Sequence, residues 1–346
     1  MSVAECQYPQ SHATKRPLGE EITAIAANRP LAASFYLDTK EEHSRPWPFE
    51  GKDHHQGLAR THRLQDGTVY FFLTHSEVGE GEQGQLMQFR YDGPLQGEHI
   101  AASDPLQVAA MAEQIYLDEP HPCDIQFLPD VNSADAGYLF VAEAFLAQRI
   151  SVWAWAPGTN LRQLGTIDQG FPQNKRPSFV FVDRDGDTVF LGVGWDNGEG
   201  RGFRAAARKL FPTCRVGEID LLAFEPIEPD GIFAMPDMNG ASQVKLVRDT
   251  TGSWSLLGFR SHDDDDPHGD DFIDVYDIDL PTFAISAQPQ STHIFFPGGD
   301  TGFASTGTCH VEESGRLLVS SSYRWSKDEL PHGADYVSRV DELPSL

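Results

Sequence analysis

The chain is poor in cysteine, in basic residues and in long apolar runs. Its four cysteines (Cys6, Cys123, Cys214, Cys309) lie far apart in 346 residues, with no CxxC spacing. That argues against a disulfide framework or a zinc knuckle and favours free thiols in a reducing compartment. Lysine and arginine number 26 against 52 acidic residues, a formal net charge of −26. A surface this acidic repels phosphate backbones, so no nucleic-acid partner is expected. No stretch approaches the roughly 18 consecutive apolar residues of a membrane-spanning helix, so no membrane partner is expected either. The opening segment MSVAECQYPQSHATKRPLGEE has no apolar core behind its charges and does not read as a secretory signal. The expected location is the cytoplasm. Helical pattern is scarce as well: only DPLQVAAMAEQI (104–115) reads as a helix.

What is present is apolar content and repetition. Hydrophobic residues make up 40% of the chain and include 22 phenylalanines, enough for a large core. One unit recurs five times: a first strand, a turn rich in Gly and Asp, a strongly hydrophobic second strand, a variable loop, a third strand and a short fourth strand. The second strands are the clearest copies: TVYFFLTHS (68–76), GYLFVAEAF (137–145), TVFLGVGW (188–195), WSLLGFRS (254–261) and RLLVSSSYRW (316–325). They are apolar on both alternating faces, so both faces of each sheet need a cover. Parallel α/β sheets use helices for this, and helices are missing here. Sheets that cover one another in a ring meet the same need.

The fold expected is therefore all-β, a five-bladed β-propeller over residues 32–346 with a leading arm at 1–31. The blades fall near 54–100, 121–167, 175–224, 240–296 and 307–342. The fifth unit lacks a fourth strand, and an unassigned strand-like run, AASFYLD (32–38), is available to complete it and close the ring. In this blade pattern, across residues 32–342, the chain resembles β-propeller repeat proteins, although it carries neither a WD nor a kelch signature. The expected assembly is a monomer or weak homo-oligomer.

Closure would bring the first-strand starts and second-strand ends of all five units to one rim around a central channel, where loop-rich closed β folds place their sites. Aligned from the hairpin turns, the innermost positions are Gln56, Asp124, Ser178, Gln243 and His310. Histidine paired with a carboxylate can move protons near neutrality, so His121, Asp124, His310 and Glu143 are the candidate catalytic residues. His55, Gln56, His75, Arg176, Trp195, Gln243, Arg260, Tyr323 and Arg324 would line a substrate pocket, the arginines holding an anionic group and the aromatics stacking on a ring. His62 falls towards the opposite face as a spectator. His55, Asp124 and His310 are ligand types for a divalent metal, a transition ion or calcium, although no short metal motif is present. No nucleotide cofactor is expected. The acidic run SHDDDDPHGDD (261–271) fails EF-hand spacing and reads as a solvated loop. Cys123 and Cys309 hold equivalent repeat positions, which suits either a nucleophilic thiol or two small core residues. Five-bladed propeller glycosidases use acidic residues around their channel, but here the inner positions of units one and three are Gln56 and Ser178. The functional expectation is a hydrolase, lyase or isomerase acting on a small organic molecule at the channel mouth. The alternative is a propeller that binds a ligand or protein without chemistry.

Overall fold

The computed structural model describes residues 11–27, 33–38, 54–76, 83–92, 107–131, 133, 135–144, 147–169, 171–172, 175–195, 197–213, 215–227, 231–235, 243–261, 271–296, 302–322 and 337–345. They form a five-bladed β-propeller. The closing strand is β1 (Ala33–Asp38). Blade one is β2 (His54–Arg60), β3 (Val69–Ser76), β4 (Gln85–Tyr91) and β5 (Gln107–Tyr116). Blade two is β6 (Pro122–Pro129), β7 (Gly137–Glu143), β8 (Arg149–Trp155) and β9 (Arg162–Ile167). Blade three has β10 (Pro177–Asp185), β11 (Thr188–Trp195) and β12 (Glu199–Ala206), with two short outer pieces, β13 (Glu225–Pro226) and β14 (Ile232–Ala234). Blade four repeats that plan with β15 (Gln243–Arg248), β16 (Trp254–Ser261), β17 (Asp271–Asp279), β18 (Ala284–Ile285) and β19 (Gln290–Ile294). Blade five is β20 (Gly302–Val311), β21 (Leu317–Ser322) and β22 (Val337–Pro344), completed by β1.

The inner strands β2, β6, β10, β15 and β20 touch one another in a closed cycle, the last returning to the first. The second strands behind them are buried along nearly their whole length. Their two apolar faces are covered as the sequence requires: the core divides into five clusters, one between each pair of neighbouring blades. Between blades three and four, Phe181 stacks on Phe283 at 5.8 Å and Phe233 on Phe283 at 6.0 Å. Gly192 and Gly194 give these rings room, since a Cβ at either would overlap Phe181 or Phe179. The hairpin DRDGD turns on Gly186 at φ 56°, a conformation that favours glycine.

Closure is antiparallel, β1 against β22 from Ala33↔Glu342 to Asp38↔Val337. β1 also pairs in parallel with β5, Phe35↔Gln107 to Leu37↔Ala109, which fuses blades one and five into one eight-stranded sheet. This corrects the reading of 104–115 as a helix: Gln107–Tyr116 is the outer strand of blade one, which therefore runs beyond residue 100. Ala, Met, Glu and Gln are good helix formers, but propensity is a weak determinant and pairing with both β4 and β1 outweighs it.

From Ser11 on, the leading arm crosses the turn ends of the inner hairpins. Thr14 N donates to Arg248 O at 3.0 Å, Lys15 N to Gly315 O at 2.7 Å, and the Ser11 hydroxyl to Asp183. A helix, α1 (Leu18–Ala27), follows and buries Leu18, Ile22 and Ile25 against blades four and five. Its buried Glu21 is held by Arg16 at 3.0 Å.

At the closure seam the Arg60 guanidinium of blade one meets Glu342 of blade five at 2.6 Å, both side chains almost fully buried. Ser320 donates to the same carboxylate oxygen at 2.8 Å. Removing one partner strands a charge in the core, whereas removing both does not. Arg60→Ala is expected to lower the unfolding free energy in urea by about 3–5 kcal/mol. The double variant Arg60→Met/Glu342→Leu should recover most of that loss.

Candidate functional site at the channel mouth

The starts of the inner strands carry register breaks: between His55 and Gly57, between Pro122 and Ile125, and between Pro177 and Phe179. Bulges re-aim side chains that a regular strand would point into its neighbour. They fall on Gln56, on Cys123 with Asp124, and on Ser178, so three of the five expected inner positions are displaced from regular pairing.

His121 lies just before β6 and is held on three sides. Its Nδ1 is 3.2 Å from Cys123 Sγ, and its Nε2 is 3.3 Å from the Gln56 amide of blade one. Its backbone N–H donates to Glu119 Oε1 at 3.0 Å, while Glu119 Oε2 accepts from Ala147 N at 2.8 Å. Glu119 is wholly buried and fixes the loop that presents the imidazole. An amide can donate through nitrogen or, turned over, accept through oxygen, so Gln56 can satisfy either tautomer of His121. Gln243 reaches across from blade four to donate to the backbone carbonyl of Gln56. Gln56, His121, Cys123 and Gln243 thus form one polar group at this mouth.

Asp124 belongs to the layer beneath and is fully buried. Its carboxylate accepts from Ile125 N at 2.7 Å, Val180 N at 3.1 Å and Gln126 Nε2 at 3.3 Å, with Lys245 Nζ at 3.7 Å. Lys245 also donates to Ile125 O at 2.7 Å, and Gln126 to Val244 O at 2.8 Å. Burial pushes the Asp124 carboxyl up to about 6, and the charge of Lys245 works against that rise. Burial lowers Lys245 in turn. With its oxygens so occupied, Asp124 ties blades two, three and four together. Glu143, at the end of β7, is likewise engaged, with Arg149 Nε at 2.6 Å. Its pKa is raised by burial, against hydrogen bonds from Ser151 and Arg149.

Other expected site residues have different surroundings. Trp195 is buried in the core, edge-on to Phe171 at 5.4 Å, so it is a packing residue rather than a stacking platform. Arg260 grips Asp274 at 2.9 and 3.3 Å and lies 4.7 Å from the Phe272 ring centroid, within its own blade. Arg176 is exposed at the start of β10, and His75 is buried on β3 beside His55 in register. The His55 side chain lies outside the described residues, as do Tyr323, Arg324 and the acidic loop at 262–270. Cys309 is a partly buried thiol at the opposite end of the inner strands, where burial pushes it up to about 12.

The clearest correction concerns His310. It stands one residue from the turn end of β20, not at the strand start, because that strand begins at Gly302 and carries a register break before Gly307. Its ring packs on His62 at 4.6 Å, and His12 of the arm packs on His62 at 4.9 Å. His310 and the supposed spectator His62 therefore share the opposite mouth. His310 thus stands away from the expected metal set, and no group of three His, Cys, Asp or Glu side chains that could hold a metal ion occurs among the described residues. The Cys123–His121 contact was within reach of the sequence: two residues apart in an extended segment, they point the same way.

No protein-family model and no curated protein sequence matches this chain. Among solved structures it is similar to a GH43 endo-arabinanase from Bacillus licheniformis, at 12% identity over 87% of this chain and 100% of that one, with a TM-score of 0.50. It is also similar to an alpha-L-arabinofuranosidase from Podospora anserina in complex with cellotriose (13% identity, 91% and 98% covered, TM-score 0.49). A third is a GH43_1 enzyme from Xanthomonas citri complexed with xylose (11% identity, 94% and 92% covered, TM-score 0.46). At such identities the likeness is one of fold.

Two outcomes follow from the buried charges. Asp124→Ala leaves Lys245 without its counter-charge and should cost about 3–5 kcal/mol in urea unfolding, losing the fold before any chemistry is tested. His62 is pushed down to about 4, mainly by burial, with His12 and Arg60 adding to the effect. A base depressed in the folded state stabilises it fully above the unfolded value of about 6.5 and loses that contribution as pH falls towards 4. Unfolding measured from pH 7 to 4.5 should therefore show a smaller acid loss in His62→Gln than in the wild-type chain.

Proposed function

We propose that this chain is a hydrolase of small organic molecules, working at the strand-start mouth with Cys123 as nucleophile, His121 as general base and Gln56 as the residue that positions the imidazole. The observation that carries the reading is the placement of His121 between a thiol at 3.2 Å and an amide at 3.3 Å. That is the nucleophile–base–orienting-group geometry of covalent hydrolases. His121 Nδ1 takes the thiol proton while its Nε2–H is held by Gln56 Oε1, with the side-chain amide turned over so that its oxygen faces the ring. Sulfur then attacks an ester carbonyl carbon, a C–S bond forms, and the C–O bond to the leaving alcohol breaks as His121 returns the proton to it. Water, deprotonated by His121, next attacks the thioester carbon, releasing the acid and restoring the thiol.

The names of the solved neighbours suggest glycan cleavage, which needs two available carboxyl groups across the scissile bond. Asp124 and Glu143 are both engaged, so the described residues favour the thiol route. The same engagement also supports the second reading, a binding propeller without chemistry, and the experiment separates the two. On p-nitrophenyl acetate and butyrate, His121→Ala should lower kcat/KM by about 10²–10⁴-fold with unchanged circular dichroism. Cys123→Ala should abolish turnover. Iodoacetamide should alkylate Cys123 ahead of Cys309, and more slowly in His121→Ala. Turnover that survives Cys123→Ala sinks the nucleophile, and absence of turnover in the wild-type chain favours the binding propeller.

A further inference from the structure

The turn ends of the five inner strands enclose a cavity of about 670 Å³ at the mouth opposite His121, a size that suits a small organic ligand. Its wall mixes both signs of charge, with Arg60, Arg63, Arg184, Lys245 and Arg248 standing among Asp183, Glu312 and Glu313. Partners inside the fold already answer most of them. Arg60 holds Glu342, Lys245 lies 3.7 Å from Asp124, and Glu312 holds Arg316 at 2.9 Å. Asp183 accepts from the Ser11 hydroxyl and the Arg184 backbone N–H, and Arg184 and Arg248 are engaged as well. Counted with these partners, six cations meet five carboxylates, so the mouth is close to neutral.

Balanced charges still carry hydrogen-bonding capacity, because a guanidinium has more N–H donors and a carboxylate more lone pairs than one ion pair uses. Arginine and lysine only donate, aspartate and glutamate only accept, and both kinds share this wall. A carboxylate ligand would meet Glu312 and Glu313 with nothing to donate, and an ammonium ligand would meet the arginines with nothing to accept. Either would also give up its hydration for charges that are already balanced. A hydroxyl both donates and accepts, and it costs far less to dehydrate.

The rest of the wall is flat or aliphatic. The His62 and His310 rings pack at 4.6 Å, and burial pushes both below the usual histidine range, His62 to about 4, so they are uncharged at neutral pH. Leu128, Val182, Leu246 and Val247 add apolar surface. The C–H face of a ring can lie on such groups while hydroxyls at its edge reach the charged ones.

We infer that this turn-end mouth is a second binding site, for a small neutral cyclic polyol of the monosaccharide class, its hydroxyls bridging the donors and acceptors of the wall and its C–H face resting on the imidazole and aliphatic side chains. The site is independent of the thiol chemistry proposed for the other mouth. The arm supplies one side of it through Ser11 and His12.

The test uses the full chain with D-glucose, D-galactose, D-xylose and myo-inositol as neutral probes, and benzoate and benzylammonium as charged ones at ionic strength held by sodium chloride. At least one neutral probe, added to about 100 mM, should shift the imidazole proton resonances of His62 and His310 saturably, and both charged probes should leave them in place. Arg63 and Glu313 are exposed on the wall, so their variants leave the core intact. Arg63→Ala and Glu313→Ala should each weaken binding of that neutral probe by about tenfold. Glu313→Gln keeps an accepting oxygen without the charge and should stay within about threefold of the wild-type chain. Cys123→Ala should leave binding unchanged. A saturable shift with either charged probe, or none with any neutral one, overturns the inference. Equal losses in Glu313→Gln and Glu313→Ala also overturn it, since charge rather than hydrogen bonding would then carry the binding. So does binding that survives Arg63→Ala and Glu313→Ala but is lost in Cys123→Ala, which assigns it to the other mouth.

Discussion

Everything in this molecule depends on a demand for cover. A strand such as Val69–Ser76, buried on both alternating faces, cannot belong to a sheet with one side in water. Each blade is therefore sandwiched between two others, and five apolar clusters fill the five gaps. Only a closed ring gives every blade two neighbours. The ring in turn brings the inner strands together around an axis and creates two mouths, each lined by residues far apart in the chain.

The architecture was legible because it rests on two-sided hydrophobicity and on Gly- and Asp-rich turns, both local signals. The closing strand was legible too, since a fifth unit short of one strand and a spare strand at 32–38 fit each other. What escaped was set by pairing rather than composition. Gln107–Tyr116 has helix-forming residues, yet two strands offered it unsatisfied backbone groups. His310 was assigned to the wrong mouth because alignment from the turn assumes inner strands of equal length, and β20 has extra residues at its start. Arg260 and Trp195 read as rim groups, but a carboxylate on the next strand and a neighbouring aromatic ring claimed them. Sequence pattern shows that a side chain is polar, not whether its partner is already inside the fold.

The two mouths differ in how polarity is used. At the strand starts, two amides, a thiol and an imidazole make one polar network, with the Glu119 carboxylate fixing the loop that presents it and the Asp124–Lys245 pair beneath it. Lys245 links the halves: its ammonium group answers Asp124 beneath one mouth, while the same residue lines the cavity of the other. Buried ion pairs of this kind contribute little net stability, but they penalise any arrangement in which one member is missing. They therefore fix which blades are neighbours more than how tightly the blades hold.

The strand Ala33–Asp38 has two partners that leave the ribosome at very different times. Gln107–Tyr116 is made soon after it, whereas Val337–Pro344 is made much later. The parallel pairing with the earlier partner can shelter one side of this strand throughout synthesis, while its other side waits as a template for the final one. The growing chain would then carry its own latch, already seated, and circularisation would need only the later partner to dock.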